Sequence, residues 1–234
     1  MELTNAVLPT PRGIYRQMGN AIRGVFVSGG LAYIASAVGS LLIVDVTNPT
    51  TPTLKGYLRM YGWGSDIAVV GTLVCLCSSD PLPYFGDYGL CLIDVTNPTT
   101  PVFLGSYVTA TANAKAVAVS RGLAYVAAEW RGLLIIDITN PTAPTLRGSC
   151  FQAAEDVAVS GKLVYVASGG LQVVDASNPS SPIVRGYYDT PSPSTGVYVS
   201  GGLCYLTTEE CGLWILRYTG PAPSSVGPAW QLYR

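Results

Sequence analysis

Acid–base chemistry in this protein would fall to carboxylates, because its 234 residues include no histidine. Ser-His-Asp triads, Cys-His pairs and histidine metal sites are therefore excluded. One aspartate recurs three residues before an Asn-Pro pair, at positions 45, 94, 137 and 175. A catalytic site is seldom built four times, whereas an aspartate at a strand end commonly accepts hydrogen bonds from turn N–H groups. We therefore expect Asp45, Asp94, Asp137 and Asp175 to be structural.

A second group of charged residues lies where short apolar stretches of the Val-Ala-Val-Ser type begin. If these stretches line the centre of a ring, the charged residues lie near the mouth of a central channel. Two carboxyl groups roughly 5 to 10 Å apart in such a place would suit a glycosidase. The alternative is a ring of solvated, mutually paired charges. The predicted channel mouth comprises Arg23, Asp66, Lys115, Glu155 and Asp156.

The six cysteines raise the question of a disulfide. A tight turn at Gly169-Gly170 would place Ala167 opposite Gln172, and the same register in the second repeat places Cys77 opposite Cys91. This pair is a candidate cross-strand disulfide. The alternative is that these cysteines are small apolar core residues, which is common for thiols.

The elements that must position these groups belong to an internal repeat. Each unit contains four short apolar stretches separated by Gly or Asn-Pro turn signals. Four antiparallel strands in about 40 to 45 residues are typical of a propeller blade. The stretch at residues 41–49 (LLIVDVTNP) recurs at 90–98, 133–141 and 171–179, and in degenerate form at 213–221 with Arg217 at the aspartate position.

This Leu-x-Ile-Val-Asp-x-Ser/Thr-Asn-Pro pattern resembles the LVIVD repeat, a propeller-forming motif found mostly in bacterial and archaeal surface proteins. The resemblance covers nearly the whole chain, up to about Pro221. It implies a propeller fold and a location at the cell surface or outside the cell. The family has no agreed catalytic residues, so the resemblance implies neither an enzyme nor a cofactor.

We expect an all-β, five-bladed β-propeller with four antiparallel strands per blade, in which the N-terminal strand closes the last blade. This closure is expected because Gly13 and the residues before it align with Gly56 and the residues before it. The same strand could instead pair with the last blade of another molecule. The propeller would span residues 1–221, with blades at approximately 19–58, 61–108, 112–150, 153–188 and 194–218 plus 8–16.

Aromatic residues are concentrated in the loops that enter the inner strands or join second to third strands. These loops share one face of a propeller, and exposed aromatic rings with a few charges suit a protein or glycan contact. The alternative is that several of the rings plug the channel or cover blade edges. The predicted binding face comprises Tyr61, Trp63, Tyr84, Phe85, Tyr88, Trp130, Phe151 and Tyr188.

The C-terminal tail, residues 222–234, is predicted to be surplus to the ring. It is rich in Pro and Ser and ends in apolar residues, so it could be disordered or could contact its own propeller or a neighbouring copy. The predicted contact residues are Trp230, Leu232 and Tyr233.

Charged residues make up only 12% of the chain and the net charge is −1, so nucleic acid is not an expected partner. No apolar run is long enough to span a membrane, and residues 1–15 lack the features of a signal peptide, which makes the cytoplasm the alternative location. We predict a non-catalytic structural or protein-interaction propeller, without metal or cofactor, that could self-assemble. A glycan-binding module and a carboxylate glycosidase are the alternatives.

Overall fold

The computed structural model describes residues 11–16, 21–37, 40–60, 62–79, 89–108, 113–150, 153–220 and 230–232. These residues form twenty β-strands, and no helix among them could cross a membrane. The strands make five antiparallel sheets of four, each following chain order from an inner to an outer strand. The prediction of an all-β fold with four-stranded units is thus confirmed, and five sheets fit the predicted blade count.

The strand bounds are as follows. Sheet 1 contains β1 (Ile22–Ser28), β2 (Leu31–Ser36), β3 (Ser40–Asp45) and β4 (Thr53–Arg59). Sheet 2 contains β5 (Trp63–Val70), β6 (Leu73–Ser79), β7 (Gly89–Asp94) and β8 (Val102–Val108). Sheet 3 contains β9 (Ala116–Ser120), β10 (Leu123–Ala127), β11 (Leu133–Asp137) and β12 (Thr145–Cys150). Sheet 4 contains β13 (Asp156–Ser160), β14 (Leu163–Ala167), β15 (Gly170–Asp175) and β16 (Ile183–Asp189). Sheet 5 contains β17 (Ser194–Ser200), β18 (Leu203–Thr208), β19 (Gly212–Tyr218) and β20 (Trp230–Leu232).

Consecutive sheets stack face to face through their inner strands, with β1 on β5, β5 on β9, β9 on β13 and β13 on β17. Because both faces of an internal sheet pack against neighbours, its second and third strands are mostly apolar instead of alternating. In β11, for example, Leu133, Leu134, Ile135 and Ile136 are all buried. The core is therefore a series of separate layers between sheets, which is a propeller-like arrangement.

The repeated aspartate holds the turn after the third strand. Asp137 accepts hydrogen bonds at Oδ1 from the backbone N–H of Thr139 at 3.0 Å and from its hydroxyl at 2.6 Å. Its Oδ2 lies 3.4 Å from Nη1 of Arg147 on the outer strand. The bonds from Thr139, with a smaller contribution from Arg147, lower the pKa of Asp137. Turn N–H groups bond in the same way to Asp45, Asp94 and Asp175, which confirms the structural interpretation of this aspartate.

A glycine in each of the first three outer strands lies directly against the Asn-Pro turn of the following sheet. A Cβ at any of these positions would overlap the carbonyl oxygen of the turn proline, so only glycine lets the two backbones approach this closely. The pairs are Gly56 with Pro98, Gly105 with Pro141 and Gly148 with Pro179. Gly13 lies against Pro49 of sheet 1 in the same way.

The outer strand of sheet 5 differs from the prediction. It is β20, from the C-terminal tail, and it pairs with Leu216–Tyr218 of β19. The expectation that the tail is surplus is therefore wrong. Residues 11–16 lie in no strand, so the pairing of residues 8–16 with sheet 5 is not observed among the described residues and stays a prediction. The connection from β19 to β20 is short, and a short loop loses less entropy on closing than one of about two hundred residues.

The outward faces of the first and last sheets are only partly covered, although Ala32, Ile34, Leu42 and Val44 of sheet 1 are buried there. Leu213 of sheet 5 is 58% exposed, whereas its counterparts Leu41, Leu90, Leu133 and Leu171 are at most 1% exposed. On sheet 1, Val25 is 61% exposed, while the equivalent residues of the other sheets are buried. Over the described strands, β1 and β17 pack less extensively than every other consecutive pair of inner strands.

The register of sheet 2 is inconsistent with the predicted disulfide. Cys77 pairs with Leu90, and Cys91 pairs with Leu76, one residue away from the predicted alignment. Side chains alternate between faces along a strand, so Cys77 lies in the layer between sheets 2 and 3, and Cys91 in the layer between sheets 1 and 2. The register transferred from sheet 4 was wrong because Gly170 begins β15 and Ala167 pairs with Leu171.

Candidate functional site

The inner strands of all five sheets surround a central cavity of about 420 Å³. Its wall is apolar apart from Asp66, and it includes two aromatic side chains, Phe26 of sheet 1 and Tyr198 of sheet 5. Cavities of this size that combine apolar walls with few polar groups are common ligand sites. Asp66 in this wall, and Asp156 next to the lining residue Val157, are therefore the first candidates for chemistry.

Asp66 and Asp156 each link one sheet to the next. Oδ2 of Asp66 accepts a hydrogen bond from the backbone N–H of Val117 in sheet 3 at 2.9 Å. Oδ2 of Asp156 accepts one from Val197 in sheet 5 at 2.7 Å, and its Oδ1 accepts one from Val157. The equivalent residues of the other sheets are glycine or alanine. At these two junctions, an inner-strand N–H therefore donates to a carboxylate of the neighbouring sheet. Glycine or alanine at the same position could not accept this hydrogen bond.

Burial raises the pKa of both aspartates. Hydrogen bonds from Val117 and Ile67 only partly offset this effect at Asp66. At Asp156, burial is likewise partly offset by backbone hydrogen bonds, and the negative charge of Asp66 raises the pKa further. Raised carboxyl pKa values are found in general acids, but they also follow simply from burial beside an apolar cavity.

The edge of the sheets where inner strands begin and second strands end is here called the loop face. Trp63, at the start of β5, is 41% exposed, and the guanidinium carbon of Arg23 lies 5.2 Å from the centroid of its ring. This cation–π contact fixes the orientation of an exposed indole at the first junction.

A turn between β10 and β11 presents a second tryptophan on the loop face. Trp130 is 64% exposed. The preceding residue, Glu129, has a φ of +43°, a left-handed conformation that is unfavourable for a residue with a side chain. The backbone of Glu129 also forms a bridge with Ala154, just before sheet 4. The turn is therefore held in a strained shape by its contacts with the next sheet.

The side chain of Glu129 is the centre of a polar cluster beside Trp130. Its Oε1 lies 3.0 Å from Nζ of Lys115, and its Oε2 accepts a hydrogen bond from Asn113 at 2.9 Å. Lys115 also approaches Glu155 at 3.6 Å. Burial opposes the charge on Lys115, but the hydrogen bond to Glu129 and the two carboxylate charges outweigh it and raise its pKa. The cluster keeps its charged groups in fixed positions next to the exposed indole.

The remaining predicted site residues are dispersed or lie outside the described residues. Tyr188 packs in the layer between sheets 4 and 5, where its ring centroid is 5.9 Å from that of Trp214, so it does not join the loop face. Trp230 and Leu232 lie in β20, opposite Tyr218 and Leu216. Tyr61, Tyr84, Phe85, Tyr88, Phe151 and Tyr233 lie outside the described residues.

The sequence interpretation missed the role of Asn113 in the polar cluster, because nothing in the repeat distinguishes this residue. Among the described residues, no group of three or more His, Cys, Asp or Glu side chains could hold a metal ion. The buried Nε of Arg131, next to Trp130, also finds no acceptor in the described part of the chain.

Comparison with known proteins identifies the repeat and the fold. The LVIVD repeat matches residues 19–59, 84–109, 112–151 and 153–190. No curated protein matches the chain. The computationally designed Ika8 protein is similar at 13% identity and a TM-score of 0.69, covering 92% of this chain and 61% of the designed one. A protein of unknown function from Desulfotomaculum acetoxidans is similar at 12% identity and a TM-score of 0.73, covering 90% of this chain and 70% of the other. At these identities the likeness concerns the fold alone.

Proposed function

Because the chain belongs to the LVIVD repeat family, we propose that it is a non-catalytic propeller that binds other proteins through its loop face. The observation that carries this proposal is the pair of exposed tryptophans: Trp63 stacks with Arg23, and Trp130 belongs to the turn that Glu129 joins to Ala154. Rigid, exposed indoles are the residues most often responsible for binding energy in protein interfaces. A cell-surface location is part of the proposal and is supported by the family resemblance.

The test is the double variant Trp63→Ala with Trp130→Ala. Proteins retained from an extract by the wild type are identified, and the affinity of the most abundant one is then measured for each form. Loss of two central tryptophans is expected to weaken binding by at least about 2 kcal/mol, or about thirtyfold.

The matched control is Tyr57→Ala, which removes an aromatic ring that is 63% exposed on the outer strand β4, away from the loop face. This variant is expected to bind like the wild type. Equal affinity of the wild type and the double tryptophan variant would contradict a loop-face interaction.

A glycan is the second candidate ligand. It is favoured by the combination of the exposed Trp130 ring with the amide of Asn113 and the carboxylate of Glu129. Sugars commonly stack on an indole while their hydroxyl groups bond to neighbouring polar groups. A glycan array probed with the wild type and with Trp130→Ala separates the two candidates, since only a glycan ligand gives a signal that this substitution abolishes.

Glycoside hydrolysis in the cavity is the weakest candidate. The oxygens of Asp66 and Asp156 accept backbone hydrogen bonds across or within the sheets. A general acid and its partner carboxylate must instead be directed at a substrate. A screen of chromogenic glycosides with the wild type and Asp156→Asn tests this alternative.

We also propose that the five sheets form a closed five-bladed ring when the protein is in solution. The proposal is supported by the exposed residues on the outward faces of sheets 1 and 5, which correspond to residues buried at every internal junction. The closed ring would present the loop face as a continuous surface around the cavity. Self-assembly through the same two faces is the alternative, and it would give head-to-tail oligomers.

A further inference from the structure

The junction between sheets 5 and 1 has only some of the contacts that are found at the internal junctions. The contacts that are present indicate which segment completes it. At the four internal junctions, a leucine of the third strand lies opposite a residue two positions after the outer-strand glycine. Both members of each pair pack in the layer that faces the next sheet. The pairs are Leu41 with Leu58, Leu90 with Tyr107, Leu133 with Cys150 and Leu171 with Tyr188.

Residues 11–16 pack against sheet 1 in the place that the outer strand of the preceding sheet takes at an internal junction. Gly13 contacts Pro49 as Gly56 contacts Pro98. Tyr15, two positions later, packs on the sheet 1 cluster of Ala32, Ile34, Leu42 and Val44. The outer strand of a preceding sheet makes the glycine contact at the first three internal junctions and the side-chain contact at all four. The contact with a third strand is the one that is missing, because Leu213, the repeat counterpart of Leu41, is exposed.

The strand β20 does not fill this place. It pairs with Leu216–Tyr218, the end of β19 that corresponds to the beginning of an outer strand. Residues 13–16 correspond to residues 56–59, which pair with the other end of the third strand in sheet 1. In this register Gly13 faces Ile215 and Tyr15 faces Leu213. The two chain ends therefore match different halves of one outer strand.

We propose that the fifth outer strand is a composite, in which β20 supplies its first half and residues 13–16 of the same chain pair with Gly212–Ile215 to supply its second half. This inference rests on the proposed ring and specifies how it closes. Closure buries Leu213 against Tyr15 and brings the outward face of sheet 5 onto sheet 1. Phe26 of β1 and Tyr198 of β17 line one cavity, so the inner strands of sheets 1 and 5 already lie around the same opening.

A disulfide trap tests the proposed register. Directly opposed residues of an antiparallel pair have Cα atoms about 4.5 to 5.5 Å apart, which is within the range for a disulfide. In a Cys211→Ser background, the double variant Tyr15→Cys with Leu213→Cys is oxidised and run on a non-reducing gel. We expect the monomer band to shift to faster migration, and the shift to be lost on reduction.

Two controls calibrate the trap. Leu133→Cys creates the equivalent pair at an internal junction, because Leu133 lies opposite the native Cys150; it should form an intramolecular disulfide. Tyr15→Cys with Ser200→Cys places the second thiol on an exposed residue at the far end of β17, and it should not. Circular dichroism of the reduced proteins establishes that each variant is folded.

Two outcomes would overturn the inference. A disulfide-linked dimer would show that residues 13–16 pair with a second copy instead of their own chain. Absence of any disulfide in the Tyr15–Leu213 variant, with the Leu133→Cys control oxidised, would show that this register does not form. Neither outcome bears on binding through Trp63 and Trp130, so the interaction proposal and the closure proposal fail independently.

Discussion

At the scale of single residues, the acidic side chains divide into two classes with opposite pKa shifts. The turn aspartates are solvated and accept hydrogen bonds, which lower the pKa of Asp45 and Asp175 to about 2. Asp66 and Asp156 are buried beside the cavity, which raises their pKa values. The first class favours folding above about pH 4 and loses this contribution as the pH falls towards 2. Asp66 and Asp156 instead favour folding at low pH, and this contribution is lost as the pH rises through their folded-state pKa values.

Asp66→Asn is expected to reduce the loss of stability between pH 4 and pH 7. The folded-state pKa of Asp66 lies above its usual value of 3.8. The contribution of protonated Asp66 to the free energy of unfolding is therefore fully present below pH 3.8 and is lost as the pH rises through the folded-state pKa. Asparagine keeps an oxygen that can accept from Val117 but has no proton to lose. Urea midpoints of wild type and variant at both pH values measure the effect, and parallel pH profiles would contradict it.

Asp66→Leu is the comparison that isolates the hydrogen bond. Leucine removes the ionisable group as asparagine does, but it leaves the N–H of Val117 without this acceptor. An unsatisfied buried donor costs about 1 to 3 kcal/mol. The leucine variant should therefore be less stable than the asparagine variant at both pH values.

At the scale of strands and turns, the repeat predicted the four-stranded units and their hairpins because the Asn-Pro turns and the Gly pairs determine local geometry. The sequence did not predict β20, because residues 230–232 carry no part of the motif and their pairing depends on an edge that only the fold exposes. It also missed the register of Cys77 and Cys91 by one residue, since a glycine can begin a strand as readily as it can form a turn. Trp130 was predicted from its loop position, but the strained turn at Glu129 depends on contact with sheet 4, which has no sequence signal.

Gly148→Ala is expected to destabilise the protein much more than Gly71→Ala. A Cβ at Gly148 would overlap the carbonyl oxygen of Pro179, so sheets 3 and 4 would have to separate. A Cβ at Gly71 meets no atom within 4 Å, and its cost is the strain of a φ of +59°, about 1 to 2 kcal/mol. Thermal unfolding of the two variants measures the difference, and similar melting temperatures would show that the junction is not as tight as described.

At the scale of the whole molecule, each sheet contacts only its neighbours, so stability is expected to be a sum of units and junctions, as in other repeat proteins. Sheet 3 has a complete junction on both sides, whereas the outward faces of sheets 1 and 5 expose residues such as Val25 and Leu213. The end sheets are therefore the least supported parts of the fold.

Amide hydrogen exchange is expected to be slowest in β10 and β11 and fastest in β18 and β19, because exchange follows the free energy of local opening. Mass spectrometry of peptides from each sheet measures this gradient. In the oxidised Tyr15–Leu213 variant, the gradient should become smaller, because the disulfide keeps the proposed junction between sheets 5 and 1 from opening. Equal protection of all five sheets in the wild type would contradict the expectation of independent units.

The contact between an outer-strand glycine and the next turn proline is made almost entirely by backbone atoms, and it is the same at each junction where it is described. This contact therefore places no demand on the side chains of the two repeats that it joins. Recombination within the gene that duplicates or removes one unit would keep this contact at the internal junctions and disturb the place where the chain ends meet. The number of repeats can change over evolution as long as the terminal segments adapt, so we expect related proteins to differ most in their ends and least in the turns between their sheets.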